Sequence, residues 1–113
     1  MNNRELGARY EDEACEYLAS LGMHIIARNF RTRNGEIDII AADGKTIVFV
    51  EVKFRRSANA GDALSAIDQR KQCQIRRIAR QYLHYAGLSE ESSIRFDCIG
   101  ITDADFRYVR GAF

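Results

Sequence analysis

The sequence has no proline, three cysteines, two histidines and no long apolar run, and each shortage removes a class of protein. Without proline, and with 46% hydrophobic and 29% charged residues, the chain is neither collagen-like, repetitive nor disordered. Its longest apolar stretch, around Ile47 to Val50, falls far short of the roughly 20 residues that a membrane span needs. The opening MNNRELGARYEDE lacks the apolar core of a secretory leader, so a cytoplasmic location with no membrane association is expected. Cys15, Cys73 and Cys98 are odd in number, widely spaced and never arranged as CxxC. That disfavours a disulfide framework or a zinc site and reads as three small buried hydrophobes. His24 and His84 have no recognisable partner motif, so triad chemistry is not expected. A length of 113 residues predicts one domain, 1–113.

What is present is an uneven charge. Residues 1–51 carry a net −3, residues 53–80 a net +6 and residues 81–113 a net −2. A basic middle segment is either a solvated helix face or a surface for nucleic-acid phosphates.

Apolar residues Leu6, Tyr10, Ala14, Tyr17, Leu18 and Leu21 fall on one arc, predicting a helix from Arg4 to Leu21 ended by Gly22. Met23 to Phe30 reads as a strand and Arg31 to Gly35 as a polar turn. Gly35 to Ala41 and Thr46 to Arg55 flank Asp43-Gly44, a hairpin signal. A loop from Ser57 to Gly61 leads to a second helix ending near Gly87, with Leu64, Ile67, Ile75, Ile78, Tyr82 and Ala86 on one face. Its cap is either Asp62 or Ser65, the latter in a capping box with Asp68. Ser93 to Ile101 and Phe106 to Arg110 alternate as strands. The order α-β-β-β-α-β-β predicts an α/β fold, a central mixed five-stranded sheet flanked by two main helices.

Hairpin parity carries the first functional argument. An even loop places Ile37, Ile39 and Ala41 on one face with Val48, Val50 and Val52, all apolar. The other face then holds Glu36, Asp38 and Ile40 beside Ile47, Phe49, Glu51 and Lys53. A loop of Asp43-Gly44 sets Asp38 diagonal to Glu51, whereas a loop of Asp43 to Thr46 sets them directly opposite, about 5 Å apart at the backbone. The second register is favoured, because both carboxylates then reach one cation. Facing acids repel unless something positive lies between them. Oxygen ligands without cysteine or histidine suit Mg²⁺ or Mn²⁺. Lys53 shares the face and could hold a water or a phosphate oxygen. Glu11 borders the apolar arc of the first helix, and Lys71 sits within that of the second. Each directs a charge toward the same sheet end. The plainer alternatives are an exposed charged face, a Glu51–Lys53 ion pair, a solvated Glu11 and a snorkelling Lys71.

The strings LGARYEDEA (Leu6 to Ala14), GEIDII (Gly35 to Ile40) and VFVEVKFR (Val48 to Arg55), with Lys71 downstream, resemble the YraN-like family of small bacterial proteins. That family is similar to archaeal Holliday junction resolvases and the wider PD-(D/E)XK nucleases. The resemblance runs from Arg4 to about Tyr108. It implies a restriction-endonuclease-like fold with metal-binding acids at Asp38 and Glu51, a catalytic lysine at Lys53 and a first-helix acid at Glu11. Metal-assisted phosphodiester hydrolysis follows, with Mg²⁺ or Mn²⁺ held by Asp38, Glu51 and the Val52 carbonyl. Glu36 is a second-tier candidate, and Arg55, Arg56, Arg70, Lys71, Arg76 and Arg77 would neutralise nucleic-acid phosphates. The expected partner is nucleic acid, DNA foremost. A homodimer is left open, as is a catalytically silent binding module of the same fold.

Overall fold

Asn2 opens the first helix of the computed structural model, which describes residues 2–56 and 64–113. Its side chain accepts the Glu5 N–H at 2.8 Å and Glu5 accepts the Asn2 N–H in return, a reciprocal cap for α1 (Asn3–Ser20). Gly22, at φ +91°, turns the chain into β1 (His24–Thr32). There follow β2 (Gly35–Asp43), β3 (Thr46–Phe54), α2 (Gln69–Tyr85), β4 (Ile94–Ile101) and β5 (Phe106–Val109). The element order is the one expected.

The sheet order is β1-β2-β3-β4-β5. Every neighbouring pair is antiparallel except β3 and β4, which run parallel. A parallel step cannot be closed by a tight turn, and α2 lies in the crossover that makes it. One sheet face buries Ile39, Ala41, Val48, Val50 and Ile99 against Ala14 and Leu18 of α1. The other buries Ile40, Phe49 and Phe96 against Ile75, Ile78 and Tyr82 of α2. A fully buried side chain of this size is worth about 1.5–3 kcal/mol, so the two clusters together hold both helices in place. The architecture matches the restriction-endonuclease-like arrangement. Among the described residues no helix is long and apolar enough to cross a membrane.

Four expectations are corrected. The helix α2 is capped by Asp68, whose carboxylate accepts the Lys71 N–H at 2.9 Å, and not by Ser65. The chain at Leu64 to Ile67 forms its own turn, closed by an Ile67 N–H to Leu64 carbonyl bond of 3.0 Å. Asp62 and the loop at 57–61 lie outside the described residues. The β2–β3 hairpin pairs Asp43 with Thr46 and turns on Gly44-Lys45, with Gly44 at φ +60° in the first central position. Ile37 packs with the α2 cluster, while Ile39 and Ala41 face α1, so strict alternation fails at Asp38. The break is local: the β2–β3 ladder ends at Ile39–Val50, and from there the Asp38 carboxylate accepts the Val52 N–H of β3. Cys98 is buried and Cys15 half-buried, but Cys73 is exposed, because it shares the solvent stripe of α2 with Arg70 and Arg77.

Candidate active site

The register Ile39↔Val50, Ile40↔Phe49, Ala41↔Val48 is the one favoured from parity, and its last pair leaves Asp38 next to Glu51, close enough for its charge to act there. Beyond the last ladder pair β2 frees the Asp38 carboxylate, whose Oδ2 accepts the Val52 N–H at 2.8 Å. Glu51 sits within β3, next to the parallel partner β4, and is only 2% exposed. One of its oxygens, Oε1, has no hydrogen-bond partner among the described residues, and Oε2 lies 3.7 Å from the Lys71 ammonium.

Burial is the main reason that both carboxyls are hard to ionise. It pushes Asp38 up to about 6, against the opposing Val52 N–H, with Glu11 and Glu36 adding repulsion and Lys53 relieving it. Glu51 is pushed up to about 7 by burial first and the Asp38 charge second, with Lys71 and Lys53 pulling the other way. Lys53 is half-buried and acts on both acids, as its place two residues beyond Glu51 requires. Cys98, the ladder partner of Glu51, has its thiol pushed up to about 12 by burial, so it offers no thiolate here.

Glu11 reaches the site from α1. Tyr10, one residue earlier, stacks on Phe54 with ring centroids 4.1 Å apart, which sets this part of α1 over the end of β3. The Glu11 carboxylate is held by the Asn29 side chain and by Arg28 at 3.7 Å, and burial raises its pKa. Its charge acts on Asp38. Asn29 escaped the sequence reading. It faces Asp38 across the β1–β2 register, between Arg28↔Ile39 and Phe30↔Ile37, and is the one non-glycine at positive φ (+53°) among the described residues. The available signal was an asparagine inside a strand, since asparagine tolerates that conformation better than most residues. Glu36 is tied to Arg31 at 3.0 Å and stands at the rim.

The basic residues divide. Arg70, Lys71 and Arg77 line one groove of about 630 Å³ with Asn34, Asp68, Cys73 and Gln74. Its wall is fixed where Gln74 and Gln81 donate to the Asn34 carbonyl and side chain, both at 2.6 Å. Arg76 points elsewhere, its guanidinium 5.3 Å from the rings of Phe96 and of Phe113. Arg55 and Arg56 are exposed beyond β3, with Arg55 donating to the Phe54 carbonyl at 2.8 Å.

The comparisons with known proteins agree with one another. A family model described as "Uncharacterised protein family UPF0102" matches residues 10–101. The chain belongs to this family. It is 50% identical to a UPF0102 protein of Geobacter sulfurreducens, over 89% of this chain and 78% of the relative. Another, from Rhodococcus jostii, is 42% identical over 99% of this chain and 98% of its own. A third, from Nitrosococcus oceani, is 36% identical over 98% and 93%. UPF0102 is the YraN-like family that the GEIDII and VFVEVKFR strings resemble.

The donor set of this UPF0102 protein is sparse for the ion that the resemblance implies. Among the described residues no three His, Cys, Asp or Glu side chains converge as a metal cage. The half-buried Asp38 and the buried Glu51 do act on one another, and Glu51 has an oxygen without a partner among the described residues. That fits Mg²⁺ or Mn²⁺ better than a cation needing many protein ligands, because magnesium keeps several waters until phosphate joins it.

Proposed function

We propose that this UPF0102 protein is a metal-dependent endonuclease that hydrolyses phosphodiester bonds of nucleic acid, with branched DNA as the first substrate to try. One observation carries the reading: the buried Glu51, with an oxygen unpartnered among the described residues and the half-buried Asp38 beside it, lies next to a groove lined by Arg70, Lys71 and Arg77. Repulsion between two desolvated carboxylates costs stability and serves no packing need. Asp38, Glu51 and the Val52 carbonyl would hold Mg²⁺ or Mn²⁺. The bound ion supplies polarisation of the phosphate and activation of water. Lys53 orients the attacking water and offsets the charge that develops on the phosphate. Glu11, placed by Arg28 and Asn29, supports the site through water. Arg70 and Arg77 neutralise flanking phosphates, and Arg55 and Arg56 extend that field. In the reaction, water oxygen bonds to phosphorus and gives up a proton to solvent as the bond to the leaving sugar oxygen breaks, and that sugar oxygen takes up a proton from solvent in return.

The test is a cleavage assay with Mg²⁺ or Mn²⁺ on linear, flapped and four-way DNA and on RNA. Wild type is expected to cut at least one of these, while Lys53→Ala binds but does not cut. Binding without cutting by wild type, across the panel, would establish the silent module instead. Cutting that survives in both Lys53→Ala and Asp38→Asn belongs to a contaminant.

A further inference from the structure

Lys71 stands where a divalent cation would meet Glu51. Its ammonium is 3.7 Å from Glu51 Oε2, close enough to neutralise the carboxylate and too far for a hydrogen bond. The other oxygen of that carboxylate lacks a donor among the described residues. The Lys71 backbone is fixed, because its N–H is the bond that caps α2 at Asp68. Its side chain is not enclosed: it is 27% exposed and lines the groove that holds Arg70 and Arg77. A flexible four-carbon stem anchored at such a point is long enough to reach either the carboxylate or the groove.

Resting on the nuclease reading above, we infer that Lys71 is the resident counter-ion of Glu51, which a divalent ion must displace and which then pairs with a nucleic-acid phosphate in the groove. An ammonium and a divalent ion on the same carboxylate repel one another, so the two occupy it in turn. Nucleic acid draws Lys71 away and so prepares Glu51 for the ion. Metal and nucleic acid then favour each other's binding through one side chain. Lys71 is a positioning residue in this scheme, distinct from Lys53, which acts on the reacting atoms.

The test measures Mn²⁺ binding by calorimetry at pH 8, where protons compete little for the carboxyls, on wild type, Lys71→Gln, Lys71→Arg and Asp38→Asn. Thermal melts confirm that each variant is folded. Without nucleic acid, Lys71→Gln is expected to bind Mn²⁺ roughly tenfold more tightly than wild type, since a repelling charge is gone. Lys71→Arg keeps the charge and is expected to behave as wild type. A phosphorothioate duplex that resists hydrolysis should tighten Mn²⁺ binding more in wild type than in Lys71→Gln. If Lys71→Gln binds Mn²⁺ no better than wild type while Asp38→Asn abolishes binding, the metal site stands and the counter-ion role is overturned. If Asp38→Asn binds as wild type does, or no protein binds, the metal site itself is overturned and the counter-ion role with it.

Discussion

Glu51 keeps a buried carboxylate oxygen that no hydrogen-bond donor among the described residues reaches. Its folded-state pKa is raised, so the sign of its pH effect is opposite to that of an ordinary salt-bridged acid. Between about pH 4.5 and 7 the unfolded chain has released the Glu51 proton while the folded chain still holds it. Stability from this group therefore falls as pH rises through that window. Glu51→Gln is expected to stabilise the protein at pH 8 by about 1–3 kcal/mol, and by much less at pH 5, as read from thermal melts. Mn²⁺ should raise the melting temperature of wild type at pH 8 and leave Asp38→Asn unmoved. At this scale the sequence was readable wherever a charge interrupts a periodic apolar face, as at Glu51 and Lys71. Asn29 was not, because its significance lies in a backbone angle and in contact with Glu11 from a different element.

The β1–β2 hairpin and α2 meet at Gly35, where φ is +131° and an added Cβ would lie 2.5 Å from Gln74 Nε2. Gly35→Ala is therefore expected to cost roughly 2 kcal/mol or more, through backbone strain and the displaced Gln74. Pairing it with Gln74→Ala in a double-mutant cycle should recover the clash and not the strain. Asp68→Ala should cost about 1 kcal/mol, the ordinary price of a lost N-cap. The existence and order of the strands and helices were legible from periodicity and turn residues, and so was the hairpin's even parity. Element ends were less so. Ser65 and Asp68 both have capping side chains, and only the turn from Leu64 to Ile67 decides between them. Likewise, Asp43-Gly44 is a strong turn signal, yet Gly44 takes the first central position and shifts the turn by one residue.

For the whole molecule, net charge along the chain indicated a basic face but not its shape. Residues 53–80 carry a net +6, yet Arg76 faces Phe96 and Phe113 while Arg70 and Arg77 face the groove. Helix phase separates them, and total charge cannot. Replacing Arg70 and Arg77 together by alanine is expected to reduce the salt dependence of nucleic-acid binding by about 2 in log–log slope. Arg76→Ala should leave that slope unchanged and lower stability by about 1 kcal/mol, from the lost stacking. Binding isotherms from low to physiological salt, with melts of the same variants, check both.

The single parallel step in the sheet also bears on how the chain reaches this state. Asp38 and Glu51 are brought together by a hairpin that turns on Gly44-Lys45, a loop closed over few residues and at small entropic cost. Pairing of Ile47 with Ile94 instead spans α2 and must await a much longer closure. Folding is therefore expected to assemble the acid pair early, as part of a local ribbon open to water, with desolvation following when β4 pairs and α2 docks, the step that also brings in Lys71.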